Sequence, residues 1–200
     1  MTLSTELQAL GEPLLEVQLA HPFLRGIADG TLDPAVFRAW LEQDHLFLLG
    51  YTRVFSRLAW RAPAEHLGEL VALANSTFHD ELGLHRELAT PFGADLAGAT
   101  PSPQCAAYTA FLLDAAAEHG TGLAALLPCT WGYSRIGQRL AESGVDGRYR
   151  RWVDTYADPA FAALAVRCAQ MLEEAAPDPA RARAAFLAGM GHELAFWDAR

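Results

Sequence analysis

Apolar residues recur at three- and four-residue intervals along almost the whole chain, and no useful length of it alternates with a period of two. This periodicity, broken only by short Gly/Pro punctuation, predicts an all-α protein without a sheet, folded as one helical domain over residues 1–200. Asp33 followed by Pro34 is an N-cap and first-turn pair that opens a helix over 34–60, with a possible bend at Gly50. A second long helix is expected over 64–89 and a loop over 90–102. Ser102-Pro103 starts a helix to about 119, and Gly120 with Gly122 is expected to separate it from one ending near 143. Further helices are expected over 147–156 and 159–175, and Asp178-Pro179 opens the last, to about 197.

Two stripes carry a carboxyl group where apolar side chains are expected. Phe37, Trp40, Leu41, Asp44, Leu48, Tyr51 and Phe55 share one face of the 34–60 helix, and Asp44 sits in its middle. Phe186, Met190, Glu193, Leu194 and Trp197 share a face of the last helix, with Glu193 among them. An inward carboxylate is costly unless partnered, so each is either a satisfied structural group or part of a polar pocket inside the bundle. An arginine partner is the structural alternative for Glu193; burial would otherwise raise its pKa and suit it to passing protons. Tyr108 lies with Phe111 and Leu112, Tyr133 one turn after Cys129, and Tyr156 four residues after Trp152. Each could be core or pocket wall.

Composition narrows the chemistry. The chain has 15 basic residues, all arginine, and a formal net charge of −9. Without lysine there is no Schiff-base catalysis. An acidic surface argues against nucleic acid, and the run RYRR at 148–151 is too short to reverse it. Three cysteines without C-x-x-C spacing fit a reducing compartment and no zinc site. With no signal peptide and no membrane-length apolar run, a cytoplasmic, soluble protein is expected, and the sequon at Asn75 is accidental.

Of the thiols, Cys168 belongs to an apolar face with Leu164, Met171 and Leu172, and Cys105 has no acid or base at helical spacing. Cys129 follows Pro128 in LLPCTWGYSRIG (126–137). Pro128 either begins a helix, placing the thiol where the dipole favours thiolate, or interrupts one by freeing the carbonyl of Ala124. A buried free cysteine is the plain alternative.

Six ordered blocks carry a resemblance to a known family: HPFLRGIADGTLDPAVFRAWLEQD (21–44), FHDELGLHREL (78–88), PSPQCAAYTAFL (101–112), LLPCTWGYSRIG, YRRWVDTYADPAF (149–161) and HELAFW (192–197). Together they closely resemble the TenA family, the thiaminase II or aminopyrimidine aminohydrolases, over nearly all the chain after His21. The resemblance implies a heme-oxygenase-like helical fold and a homotetramer; no metal and no cofactor are expected. Its implied activity is hydrolysis of aminopyrimidines from thiamin breakdown, and of thiamin itself in many members. By position, Cys129 matches the nucleophile and Glu193 the acid/base. Asp44 matches the carboxylate on the pyrimidine edge, and Tyr108, Tyr133 and Tyr156 the pocket tyrosines. Phe47 stands where some members carry tyrosine, which preserves stacking and removes a hydroxyl.

The implied mechanism has the Cys129 sulfur add to the electron-poor ring, with Glu193 protonating the departing amine and then deprotonating the attacking water. Two other readings are open. Glu42 with His45 (E-x-x-H) and Glu81 with His85 (i, i+4) raise a di-metal oxygenase on the same scaffold, although such sites want two E-x-x-H pairs. A non-catalytic pyrimidine- or heme-binding protein, with His21 as axial ligand, is the other; a histidine before proline is more simply a helix-entry residue.

Overall fold

The computed structural model describes residues 1–145 and 147–200. Among the described residues ten α-helices follow one another: α1 (Leu3–Leu19), α2 (Pro22–Ala28), α3 (Pro34–Arg61), α4 (Ala64–Ser76), α5 (Leu82–Ala89), α6 (Pro103–Ala115), α7 (His119–Glu142), α8 (Gly147–Ala157), α9 (Pro159–Ala175) and α10 (Pro179–Phe196). Among the described residues there is no strand. The X-Pro starts act as their chemistry requires. The side chains of Asp33, Ser102, Asp158 and Asp178 accept from backbone N–H groups two or three residues on, and proline fills the first turn. His21 caps α2 in the same way, Nδ1 accepting from Phe23 N at 3.2 Å, so it is a helix-entry residue.

Two expected boundaries move. The 64–89 helix is interrupted by a π turn over Thr77–Glu81, in which Leu82 N–H donates back five residues to Thr77 O. The break between α6 and α7 falls before the glycines, where the Glu118 side chain caps the N–H groups of Gly120 and Thr121. Gly122 is a packing residue instead: a Cβ there would lie 2.7 Å from Leu58 Cδ2 on α3. Helix α3 runs unbroken through Gly50.

The helices form two packed groups. Helix α3 carries α4, α5 and α6; α7 carries α8, α9 and α10, and α6 also meets α10. One hydrophobic cluster runs through both groups. Cys168 is fully buried within it, as its stripe predicts, and Cys105 is buried as well. Between the lower halves of α3, α8 and α10, the rings of Phe37, Trp40, Trp152 and Trp197 interlock at centroid distances of 5.8–6.4 Å. Further along α3, a cavity lies between it and α7. Among the described residues no helix is long and apolar enough to cross a membrane.

Candidate active site

The cavity is walled by Asp44, Phe47 and Tyr51 from α3, by Thr77 and Glu81 from the π turn, and by Cys129 and Tyr133 from α7. Tyr156 of α8 and Phe161 and Leu164 of α9 close it. Pro128 lies inside α7, not at its start, so Cys129 sits mid-helix and gains nothing from an N-terminal dipole. The proline removes one backbone donor, and the helix continues around it. Helix α10 lies tightly against this turn because Gly189 has no side chain: a Cβ would stand 2.9 Å from Pro128 Cγ and 3.1 Å from Ala125 O. One turn beyond Gly189, Glu193 reaches the level of Cys129.

Glu193 is 2% exposed and has no arginine partner. The Tyr108 hydroxyl of α6 donates to its Oε1 at 2.5 Å, and the Cys129 thiol lies within reach of the carboxyl. Burial, and after it the negative Asp44, raises the Glu193 pKa to about 8 against the opposing Tyr108 hydrogen bond. The thiol is pushed well above its usual range, first by burial and then by the carboxylates of Glu193 and Glu81. It is therefore a neutral S–H that ionises only by handing its proton to a neighbour, and the neighbouring carboxyl is itself shifted toward the thiol's range.

Asp44 and His85 form a second buried pair, 4% exposed each, with Oδ2 and Nε2 3.1 Å apart. The contact is close but poorly aligned, leaving both atoms without a well-formed hydrogen bond. Asp44 thus keeps hydrogen-bonding capacity where it borders the cavity. The Tyr51 hydroxyl is likewise without a well-formed hydrogen bond, close to the Cys129 sulfur. Phe47 is stacked between Tyr51 (5.4 Å) and Tyr108 (4.8 Å), and Tyr133 packs on Tyr156 at 4.8 Å.

All seven residues singled out in the sequence gather around this one spot from five helices. Five of them line the cavity; Glu193, in contact with Cys129, and Tyr108, bonded to Glu193, do not. Tyr51 and Glu81 were missed as site residues. Tyr51 read as one more aromatic on the α3 stripe, and Glu81 read only as one half of a metal-ligand pair with His85. The E-x-x-H pair of α3 does not converge: Glu42 accepts from Asp95 N–H at 2.9 Å, while His45 packs against the His85 ring. Among the described residues no group of three or more His, Cys, Asp and Glu is arranged to hold a metal.

Comparison with known proteins places the chain among relatives over nearly its whole length. The chain is 32% identical, over 99% of its length and 95% of its relative's, to a protein named aminopyrimidine aminohydrolase from Halalkalibacterium halodurans. A TenA homologue from P. horikoshii OT3 superposes with a TM-score of 0.92 at 26% identity, covering 99% of this chain and 97% of that one. A domain with a heme oxygenase-like fold from Shewanella denitrificans, 13% identical, superposes over 97% of this chain and 90% of its own with a TM-score of 0.81, which extends the likeness in fold. The family model described as TENA/THI-4/PQQC matches residues 6–200. The chain therefore belongs to the TENA/THI-4/PQQC family.

Proposed function

We propose that the protein hydrolyses aminopyrimidines derived from thiamin, within thiamin salvage, using Cys129 as nucleophile and Glu193 as acid/base. The observation that carries this reading is the position of the Cys129 thiol: it lines a cavity walled by Phe47, Tyr51, Tyr133 and Tyr156 and lies within reach of the Glu193 carboxyl. The relative in Halalkalibacterium halodurans bears the matching name.

Each group has a task that its surroundings suit. Asp44 is held at the cavity wall beside His85 and pairs with the ring nitrogen and amino edge of the substrate. Phe47, Tyr133 and Tyr156 confine the flat ring by stacking and edge contacts. As the sulfur bonds to an electron-poor ring carbon, its proton passes to Glu193, which delivers it to the departing amine. Splitting the displacement in two avoids direct attack by water on an aromatic ring. Tyr108, donating to Oε1, favours the carboxylate form that takes the thiol's proton and so opposes the rise that burial imposes.

The test presents the purified protein separately with an aminomethyl-aminopyrimidine and with thiamin, following ammonia and thiazole release. Steady ammonia release from the first is expected; release of neither product overturns the reading. The homotetramer implied by the family resemblance is checked by light scattering on the eluted protein.

A further inference from the structure

Glu81 is the one carboxyl shared by two adjoining hollows. It lines the inner cavity with Asp44 and Cys129, and it also lines a wide groove between α4, α8 and α9. Thr77, Phe161 and Leu164 are common to both, so these four residues form the threshold between solvent and the site. Glu193, by contrast, lines neither. Glu81 continues the inward face of α4, marked by His66, Leu70, Leu73 and Thr77 at helical spacing, and the π turn over Thr77–Glu81 lies where that face meets the cavity. Such turns cost regular hydrogen bonding and recur at functional sites.

We propose that Glu81 is a second catalytic carboxyl: the base that takes a proton from the water entering through the groove and returns it to the Cys129 sulfur. This rests on the cysteine-nucleophile reading above, and it divides between two groups the work that the sequence alone assigned to Glu193. The proton balance closes. The Cys129 S–H bond breaks as a C–S bond forms, and that proton leaves on the amine through Glu193 while the C–N bond breaks. Water then forms the C–O bond and loses a proton to the Glu81 carboxylate. The C–S bond breaks with its electron pair returning to sulfur, and Glu81 re-protonates the thiolate. One water is consumed, one amine released, and both carboxyls return to their starting state.

The electrostatics of Glu81 suit this task. Burial, then the Asp44 charge, raises its pKa to about 7 against a hydrogen bond from Thr77. From the inner side it faces Asp44 and Tyr51 of α3, Cys129 of α7 and Tyr156 of α8. From the groove side it faces Asp80 of its own turn, Glu69 of α4, Arg151 and Asp154 of α8, and Asp158 and Arg167 at α9. The two arginines are engaged elsewhere, Arg167 with Glu69 at 2.6 Å and Arg151 with Glu87. No cation fixes Glu81 in its charged form, so it can gain and lose a proton near neutrality.

The experiment mixes Glu81→Gln with excess aminomethyl-aminopyrimidine and follows ammonia from the first turnover onward, with intact-mass measurement of the protein. Glutamine keeps the shape, and thermal unfolding by circular dichroism checks the fold. The expected result is a first equivalent of ammonia released at close to the wild-type rate, followed by turnover at least about a hundredfold slower. A substrate-derived mass on Cys129 should accumulate meanwhile. The steady rate of the wild type should rise through pH 7, and that of Glu81→Gln should not. Formate added to Glu81→Ala should recover at least about tenfold of the lost rate, which a structural defect would not permit. Steady turnover within about threefold of wild type overturns the proposal. So does loss of the first equivalent of ammonia together with turnover, because Glu81 would then act before the C–N bond breaks. Full activity of Cys129→Ser would instead remove the reading beneath it.

Discussion

Helix α3 lays a single apolar stripe through two very different neighbourhoods. Its first half, at Phe37 and Trp40, is enclosed by rings: Trp40 alone meets Phe23, Trp152, Phe196 and Trp197 at 5.3–6.1 Å. Its second half, at Asp44, Phe47 and Tyr51, borders the cavity. In the first region the buried polar atoms without a well-formed hydrogen bond are indole N–H groups, which are neutral and only donate. In the second they are a carboxylate oxygen, a phenol hydroxyl and imidazole nitrogens, every one able to exchange a proton or bind a polar ring edge. Equal burial therefore does not mean equal purpose. The first region uses its contacts to hold α3, α8 and α10 together; the second leaves chemical capacity facing a cavity.

That contrast predicts opposite consequences for substitutions in the two regions. Glu193→Gln should cost about 10²–10⁴-fold in kcat, measured as ammonia release, with the melting temperature preserved or raised. Trp40→Ala should do the reverse, destabilising the fold by about 3–5 kcal/mol in urea unfolding. Gly189→Ala acts on the seam between the two: its methyl would strike Pro128, costing about 1–3 kcal/mol and displacing Glu193 from Cys129, so stability and activity should fall together.

The pH dependence of stability follows from the raised carboxyls. Glu81 and Glu193, shifted up from 4.5 to about 7 and about 8, favour the folded state while they are protonated. Their contribution is complete below about pH 4.5 and is lost as pH rises through 7 and 8, because the unfolded chain releases those protons earlier. Urea midpoints between pH 5 and 8.5 should accordingly decline more steeply in the wild type than in Glu193→Gln. The smallest effect is expected of Phe47→Tyr, which retains stacking between Tyr51 and Tyr108 and adds one hydroxyl. It should alter KM by less than about tenfold, the scale of a single neutral hydrogen bond.

Much of this organisation was legible in the chain, for definite reasons. Asp-Pro and Ser-Pro pairs state where a helix begins because cap and first-turn chemistry are local, and α3, α6, α9 and α10 start where those pairs stand. Asp44 and Glu193 were conspicuous because a carboxyl in an apolar stripe violates a periodic pattern. The π turn was not legible, because the helical spacing from 64 to 89 reads continuously through it, whereas the buried face steps by five residues from Thr77 to Leu82. Nor could spacing decide between the two readings of Pro128, since a proline at the start of a helix and one in its middle look alike until α10 is packed against it. The Gly120 and Gly122 break was misplaced for a similar reason, as a glycine serving close approach resembles one serving a turn.

The account stands most directly on the Cys129 sulfur. Ammonia release from an aminomethyl-aminopyrimidine, compared between the wild type and Cys129→Ser of equal melting temperature, tests it in one assay. A fall of at least about a thousandfold is predicted, since an alcohol so far from ionisation cannot replace the thiol beside Glu193. A serine variant that keeps most of the wild-type rate would contradict it.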